Sequence, residues 1–83
     1  MSLDRIRLAG KKTIGANQTA KAVAQSIVTE LFVAKDAEDH VIRPILTTAQ
    51  QKGIPVCWVD SMKLLGKACG IEVGAATAAI LKD

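Results

Sequence analysis

A glycine, two carboxamides and a lysine stand close together early in the chain, in Ile14-Gly15-Ala16-Asn17-Gln18-Thr19-Ala20-Lys21. The order reads as a glycine turn entering a helix, with Asn17 and Gln18 at its mouth. A helix start presents unpaired N–H groups and partial positive charge, which suits an anion. A carboxamide can donate and accept at once, the pairing that reads base edges, and a lysine three or four residues on can reach guanine O6/N7 or a phosphate. Such a face suits a widened groove or an irregular RNA element, because the deep, narrow groove of regular A-form RNA excludes side chains. A plainer arrangement fits the same residues: Asn17 as the N-cap and Lys21 as a solvated surface lysine. A single glycine with a lysine inside the following helix is neither GxxxxGK[ST] nor GxGxxG, so a nucleotide-phosphate cradle is poorly supported.

Other chemistry finds less material. Cys57 and Cys69 are not a CxxC pair, and with His40 as the one histidine they make no plausible zinc set. They read as small buried hydrophobes, Cys57 in a strand and Cys69 near a helix end. Nothing places a base beside a nucleophile, so neither an enzyme nor a bound cofactor or metal is expected.

The elements that would hold the amide face can be read from patterning. Leu3 to Ala9 can form a short helix with Leu3, Ile6 and Leu8 leaning inward, stopped by Gly10. Thr13 and Ile14 form a very short strand. In the next helix Asn17 is a natural N-cap; Ala20, Val23, Ala24 and Ile27 fall on one side and Asn17, Gln18, Lys21 and Gln25 on another. Leu31-Phe32-Val33-Ala34 and Val56-Cys57-Trp58-Val59 read as central buried strands. Between them Val41, Ile42, Ile45, Leu46 and Ala49 have helical spacing, with Pro44 kinking the helix or starting a second segment. Ser61 caps a further helix with Leu64, Leu65 and Ala68 inward and Gly70 at its end. For the tail after Gly74, alanines favour helix while the length suits a strand. The alternation implies an α/β fold, a three-layer α/β/α sandwich with the first and last strands sharing a sheet with the two apolar ones.

At 83 residues the chain is expected to be one domain, residues 1–83, with a modest core. Aromatics make up only 2% of it, so the core should be aliphatic around Phe32 and Trp58, and base stacking on Phe or Tyr platforms is disfavoured. There is no bilayer-length apolar run and no signal-peptide hydrophobic region, which leads to the expectation of a cytoplasmic protein without membrane contact. A net charge of +3 permits an anionic partner. Lys11, Lys12 and Lys21 flank the amide stretch, whereas Asp36, Glu38, Asp39 and His40 cluster elsewhere, so a polarised surface is expected.

Two blocks carry a family resemblance. Gly15-Ala16-Asn17-Gln18-Thr19-Ala20-Lys21 resembles the ribosomal protein L7Ae family signature, Gly-x-Asn-(Glu or Gln)-x-x-Lys. Leu65-Gly66-Lys67-Ala68-Cys69-Gly70-Ile71-Glu72-Val73 resembles that family's second block. Order and separation agree, and the spacing of elements matches over essentially the whole chain, most closely in the short bacterial members of the YbxF group. The resemblance implies an L7Ae/L30e-like sandwich with a four-stranded mixed sheet. It also implies binding to kink-turns, RNA duplexes sharply bent at a bulge followed by sheared G·A pairs. By that resemblance Asn17, Gln18 and Lys21 would meet the guanines of those pairs, and Gly15 and Ala16 would let backbone approach the RNA. Ile71, Glu72 and Val73 would form the loop that packs on the extruded bulge nucleotide, and the tail becomes a strand. Lys11, Lys12, Lys35 and Lys67 are lysines that could meet phosphate.

The chain departs from the family in two places. Many members carry Glu where Gln18 stands; Gln keeps the acceptor and exchanges charge for a donor. The Arg-Gly that usually ends the helix is Gln25-Ser26, which removes a phosphate contact. The expectation is a monomeric RNA-binding protein that stabilises the bent form of a kink-turn. Its rivals are an adaptor on the ribosome or in a ribonucleoprotein, acting mainly through protein contacts, and a thiol redox protein using Cys57 and Cys69.

Overall fold

In the computed structural model, which describes residues 3–83, helices and strands alternate. The elements are α1 (Asp4–Leu8), β1 (Lys12–Ile14), α2 (Ala16–Ala24), β2 (Val28–Ala34), α3 (Asp39–Gln51), β3 (Val56–Val59), α4 (Met62–Ala68) and β4 (Thr77–Leu81). The strands make one mixed sheet in the order β1-β4-β2-β3, with β2 and β3 parallel and the other pairings antiparallel. On one face α2 and α3 bring Ala22, Val23, Ile42, Ile45 and Ala49 onto Leu31, Val33 and Ala79. On the other, α1 and α4 bring Ile6, Leu65 and Cys69 onto Phe32, Ala34, Val59 and Ala78. The arrangement is the three-layer α/β/α sandwich expected from the sequence.

The alanine-rich tail is a strand because it lies inside the sheet. β4 pairs with β1 on one side and β2 on the other, and helices cover both of its faces. Ala78 and Ala79 are fully buried; their small side chains let the helices sit close, and this tertiary demand overrides alanine's preference for helix.

Several inward assignments need correction. β3 is an edge strand and not a central one, and Trp58 is 39% exposed on it, so the core is organised around Phe32 without the tryptophan. Leu8 is 74% exposed at the end of a helix too short to bury more than Ile6. α2 begins at Ala16, with Gly15 in the N-cap position, so Asn17 lies within the first turn and is not the cap. Its buried face is Thr19, Ala22 and Val23, while Ala20, Ala24 and Ile27 are exposed. Period counting missed this because Thr19 is polar; its hydroxyl is buried against that of Thr13 at 2.9 Å, which lets a threonine serve as a core residue. In α4, Leu65, Gly66 and Cys69 point inward and Leu64 is 44% exposed. α3 runs through Pro44 as one helix; the proline sits on its exposed side, where the carbonyl deprived of a donor can be hydrated.

Three helices end in the same way. After α2, Ile27 N–H donates to Ala22 C=O and Ser26 N–H to Val23 C=O. After α3, Ile54 N–H donates to Ala49 and Gly53 to Gln50, and after α4, Ile71 N–H donates to Gly66 and Gly70 to Lys67. Each is a Schellman motif, with the left-handed residue Ser26 (φ +60°), Gly53 (φ +68°) or Gly70 (φ +83°). At Ser26 an L-residue takes the place a glycine fills without strain, at a cost of about 1 kcal/mol.

Candidate nucleic-acid interface

The mouth of α2 is built by a turn only glycine takes easily. Gly15 has φ +95°, and its N–H donates to Thr77 C=O at 2.9 Å, which ties the turn to the start of β4. Its own carbonyl accepts from Thr19 N–H at 3.1 Å. The Thr13–Thr19 hydroxyl pair then fixes how the first turn of α2 is rotated over β1, leaving Asn17, Gln18 and Lys21 exposed. This helix start has no side-chain cap and no acidic residue in its first turn. Among the described residues the side chains of Asn17, Gln18 and Lys21 have no hydrogen-bond or ion-pair partner. The first N–H groups of the helix and two carboxamides therefore face solvent together, positive and rich in donors.

The loop after α4 is fixed at the same end of the sheet. It turns at Gly70, crosses back over α4, and enters β4 through Ala75, whose N–H donates to Met62 C=O at 3.0 Å. Gly66 makes the crossing possible: a Cβ there would lie 2.1 Å from Val73 O. Gly74 also runs close, with a Cβ there 3.0 Å from that of Met62, so it serves close approach whereas Gly70 serves the turn. Ile71 is half-buried against the core beneath α4, Glu72 is exposed, and Val73 is 71% exposed. Ala76 C=O accepts from Ala34 N–H and Thr77 C=O from Gly15 N–H. The mouth and the loop thus flank the beginning of β4 from opposite faces of the sheet.

The lysines divide. Lys21 stands on the open face of α2. Lys12 Nζ donates to Ile6 C=O at 3.2 Å and Arg7 C=O at 3.3 Å, satisfying the end of α1, and Lys11 lines a cleft of about 600 Å³ beside α1 with Leu8, Ile80 and Leu81. The structure therefore does not gather Lys11 and Lys12 at the mouth, although they adjoin it in sequence. Lys35 pairs with Asp60 at 3.2 Å, and Lys67 is exposed on α4.

The acidic cluster is not remote from this end, as the sequence suggests, but beside it, where β2 gives way to α3. Its carboxylates are tied down locally: Asp39 pairs with Arg43, Glu38 lies 3.3 Å from His40, and Asp36 accepts the Met62 N–H at 2.8 Å. All three arginines are held in ion pairs, Arg5 with Glu30, Arg7 with Asp4 and Arg43 with Asp39. Apart from Lys35, which pairs with Asp60, the lysines are the cations left outside such pairs among the described residues.

The thiols do not make a reactive pair. Cys57 is half-buried, not fully buried as expected, and Cys69 is buried. Burial pushes both thiols above their ordinary value, with Glu30 adding to the shift at Cys57, so the nucleophilic thiolate is disfavoured at both. Among the described residues no cluster of His, Cys, Asp and Glu could hold a metal ion, and no helix is long and apolar enough to cross a membrane.

Sequence reasoning missed Thr13, Thr19, Gly66 and Thr77 as the residues that set the geometry. Gly66 stood within the second block but carried no visible role, because the backbone it admits is seven residues further on.

Residues 2–83 match the model of the Ribosomal protein L7Ae/L30e/S12e/Gadd45 family. RNA-binding protein BH0128 of Halalkalibacterium halodurans is 50% identical over 99% of this chain and 100% of its own length. RNA-binding protein YbxF of Geobacillus stearothermophilus is 46% identical over the same shares. Among solved structures, the Giardia lamblia 15.5kD RNA binding protein superposes with a TM-score of 0.86 at 25% identity, covering 98% of this chain and 71% of that one.

Proposed function

Because the chain belongs to the ribosomal protein L7Ae/L30e/S12e/Gadd45 family, we propose that it is an RNA-binding protein whose target is a kink-turn and whose effect is to stabilise the bent form. RNA binding is what its bacterial relatives are named for. The observation that carries the finer reading is the uncapped mouth of α2, with Asn17, Gln18 and Lys21 unpartnered among the described residues, at the same end of the sheet as the exposed loop around Val73. The carboxamides and N–H groups meet the exposed edges of sheared G·A pairs, Lys21 a guanine or a nearby phosphate, and Gly15 and Ala16 allow backbone approach. The extruded bulge nucleotide packs on Val73, with Ile71 supporting the loop from beneath and Glu72 at its rim. Lys11 is free to reach a phosphate; Lys12 is committed to α1 and belongs to the scaffold.

Two patches set at a fixed separation fit the RNA only when it is bent, so binding shifts the RNA's own equilibrium toward that form. No chemistry on the RNA is involved. An electrophoretic shift with a kink-turn duplex, beside the same duplex with its G·A pairs replaced by Watson–Crick pairs, tests the reading. Tight binding to the first alone is expected. Equal binding to both, or to neither, contradicts it and favours an adaptor working through protein contacts.

A further inference from the structure

At the far end of α2 from its mouth lies a cleft of about 360 Å³ lined by Ser26, Val28, Thr29, Lys52, Gly53, Ile54, Pro55 and Lys82. Its lining holds two lysines and two hydroxyls and no carboxylate. Lys52 Nζ donates to Ser26 Oγ at 2.7 Å, and Lys82 is set beside them by its backbone N–H, which donates to Ile27 C=O at 2.8 Å. Neither ammonium is paired with an acid among the described residues.

Capping does not account for these lysines. α2 and α3 both end here, and their C-terminal dipoles favour a cation. However, the Schellman motifs already satisfy two carbonyls at each helix end from within the backbone. Two full positive charges also exceed two half-charges of opposite sign. Ser26 adds an independent indication, since it holds a left-handed conformation in which glycine would be unstrained, and what it supplies there is a hydroxyl beside an ammonium. With its oxygen accepting from Lys52, the hydroxyl proton is free to donate outward. An ammonium, a second ammonium and an outward hydroxyl together match a phosphate oxygen.

We propose that the Ser26–Lys52–Lys82 cleft is a second RNA contact, which takes a backbone phosphate of the helical arm extending from the kink along α2. The inference rests on the proposed recognition at the α2 mouth. α2 spans nine residues, about 14 Å, so a phosphate a few base pairs along an arm lies within reach of both ends.

The test uses two kink-turn duplexes, one with both arms extended by a helical turn and one with the arms cut back toward the sheared pairs. Affinity is measured across a range of salt for the parent, the Lys52→Gln/Lys82→Gln double variant and Ser26→Gly. On the long-armed RNA the double variant should bind about tenfold more weakly, with a log–log salt slope shallower by about one. On the short-armed RNA it should match the parent. Ser26→Gly should raise Tm by about 4 °C and still weaken binding to the long-armed RNA by about threefold, a divergence that a purely structural serine would not produce. Variants that match the parent on both RNAs overturn the inference while leaving the mouth's role standing. A parent that does not bind a kink-turn overturns both.

Discussion

Two helices, α2 and α4, start at the same end of the sheet, and the chain treats their starts in opposite ways. At α4, Ser61 Oγ accepts the Leu64 N–H at 3.1 Å and Asp36 accepts the Met62 N–H at 2.8 Å. At α2 the cap position is glycine, no side chain accepts a cap hydrogen bond, and Asn17 and Gln18 in the first turn are exposed. A capped helix start contributes to stability and has little left to offer a partner. An open one with glycine at the cap forgoes only about a few tenths of a kcal/mol and keeps its donors available. The contrast separates scaffold from proposed interface at one end of the sheet, and it can be broken or sharpened by substitution.

The largest effect is expected on the scaffold side. Gly66→Ala drives a methyl into the Val73 carbonyl, so the loop must lift from α4; urea unfolding should show a loss of about 3 kcal/mol, with RNA binding lost alongside. At the mouth, Asn17→Ala or Gln18→Ala should each cost about 1–3 kcal/mol of kink-turn affinity by calorimetry, yet leave plain-duplex binding and urea stability nearly unchanged. Equal losses on both RNAs would mean that the amides do not read bases. Val73→Asp should weaken binding by about 1–3 kcal/mol without unfolding the domain, consistent with its 71% exposure. Removing the base of the bulge nucleotide should cost the parent the same and the variant almost nothing further. Ser61→Ala should cost about 1 kcal/mol of stability with RNA affinity unmoved, the mirror image of Asn17→Ala. The smallest effect belongs to Gln25→Arg, which should steepen the log–log salt slope by about one; an unchanged slope would show that position 25 does not face RNA.

The sequence announced the alternation of elements, the Ser61 cap and the amide mouth, because each follows from local spacing. It did not announce which apolar residues would be inside. Trp58 and Leu8 look like core by composition, but Trp58 sits on a strand at the edge of the sheet and Leu8 at the end of a five-residue helix, facts of topology and not of residue type. Thr19 was hidden for the converse reason: a hydroxyl reads as solvent-facing until its partner Thr13 is brought over it. The tail could be read as a strand only through the resemblance, since alanines between two strands and under two layers of helix carry no periodic signal. The roles of the lysines were legible only as charge, and it is geometry that commits Lys12 to α1 and leaves Lys21 open.

The claim that an open helix start and an exposed loop together select a bent RNA is met most directly by watching the RNA bend. A kink-turn duplex labelled at both ends, titrated with protein in buffer without divalent cations, should show energy transfer rising to saturation. Gln18→Ala should need about tenfold more protein. The same duplex with Watson–Crick pairs in place of the G·A pairs should show no rise. Equal bending of both duplexes, or tight binding with no change in transfer, would contradict it.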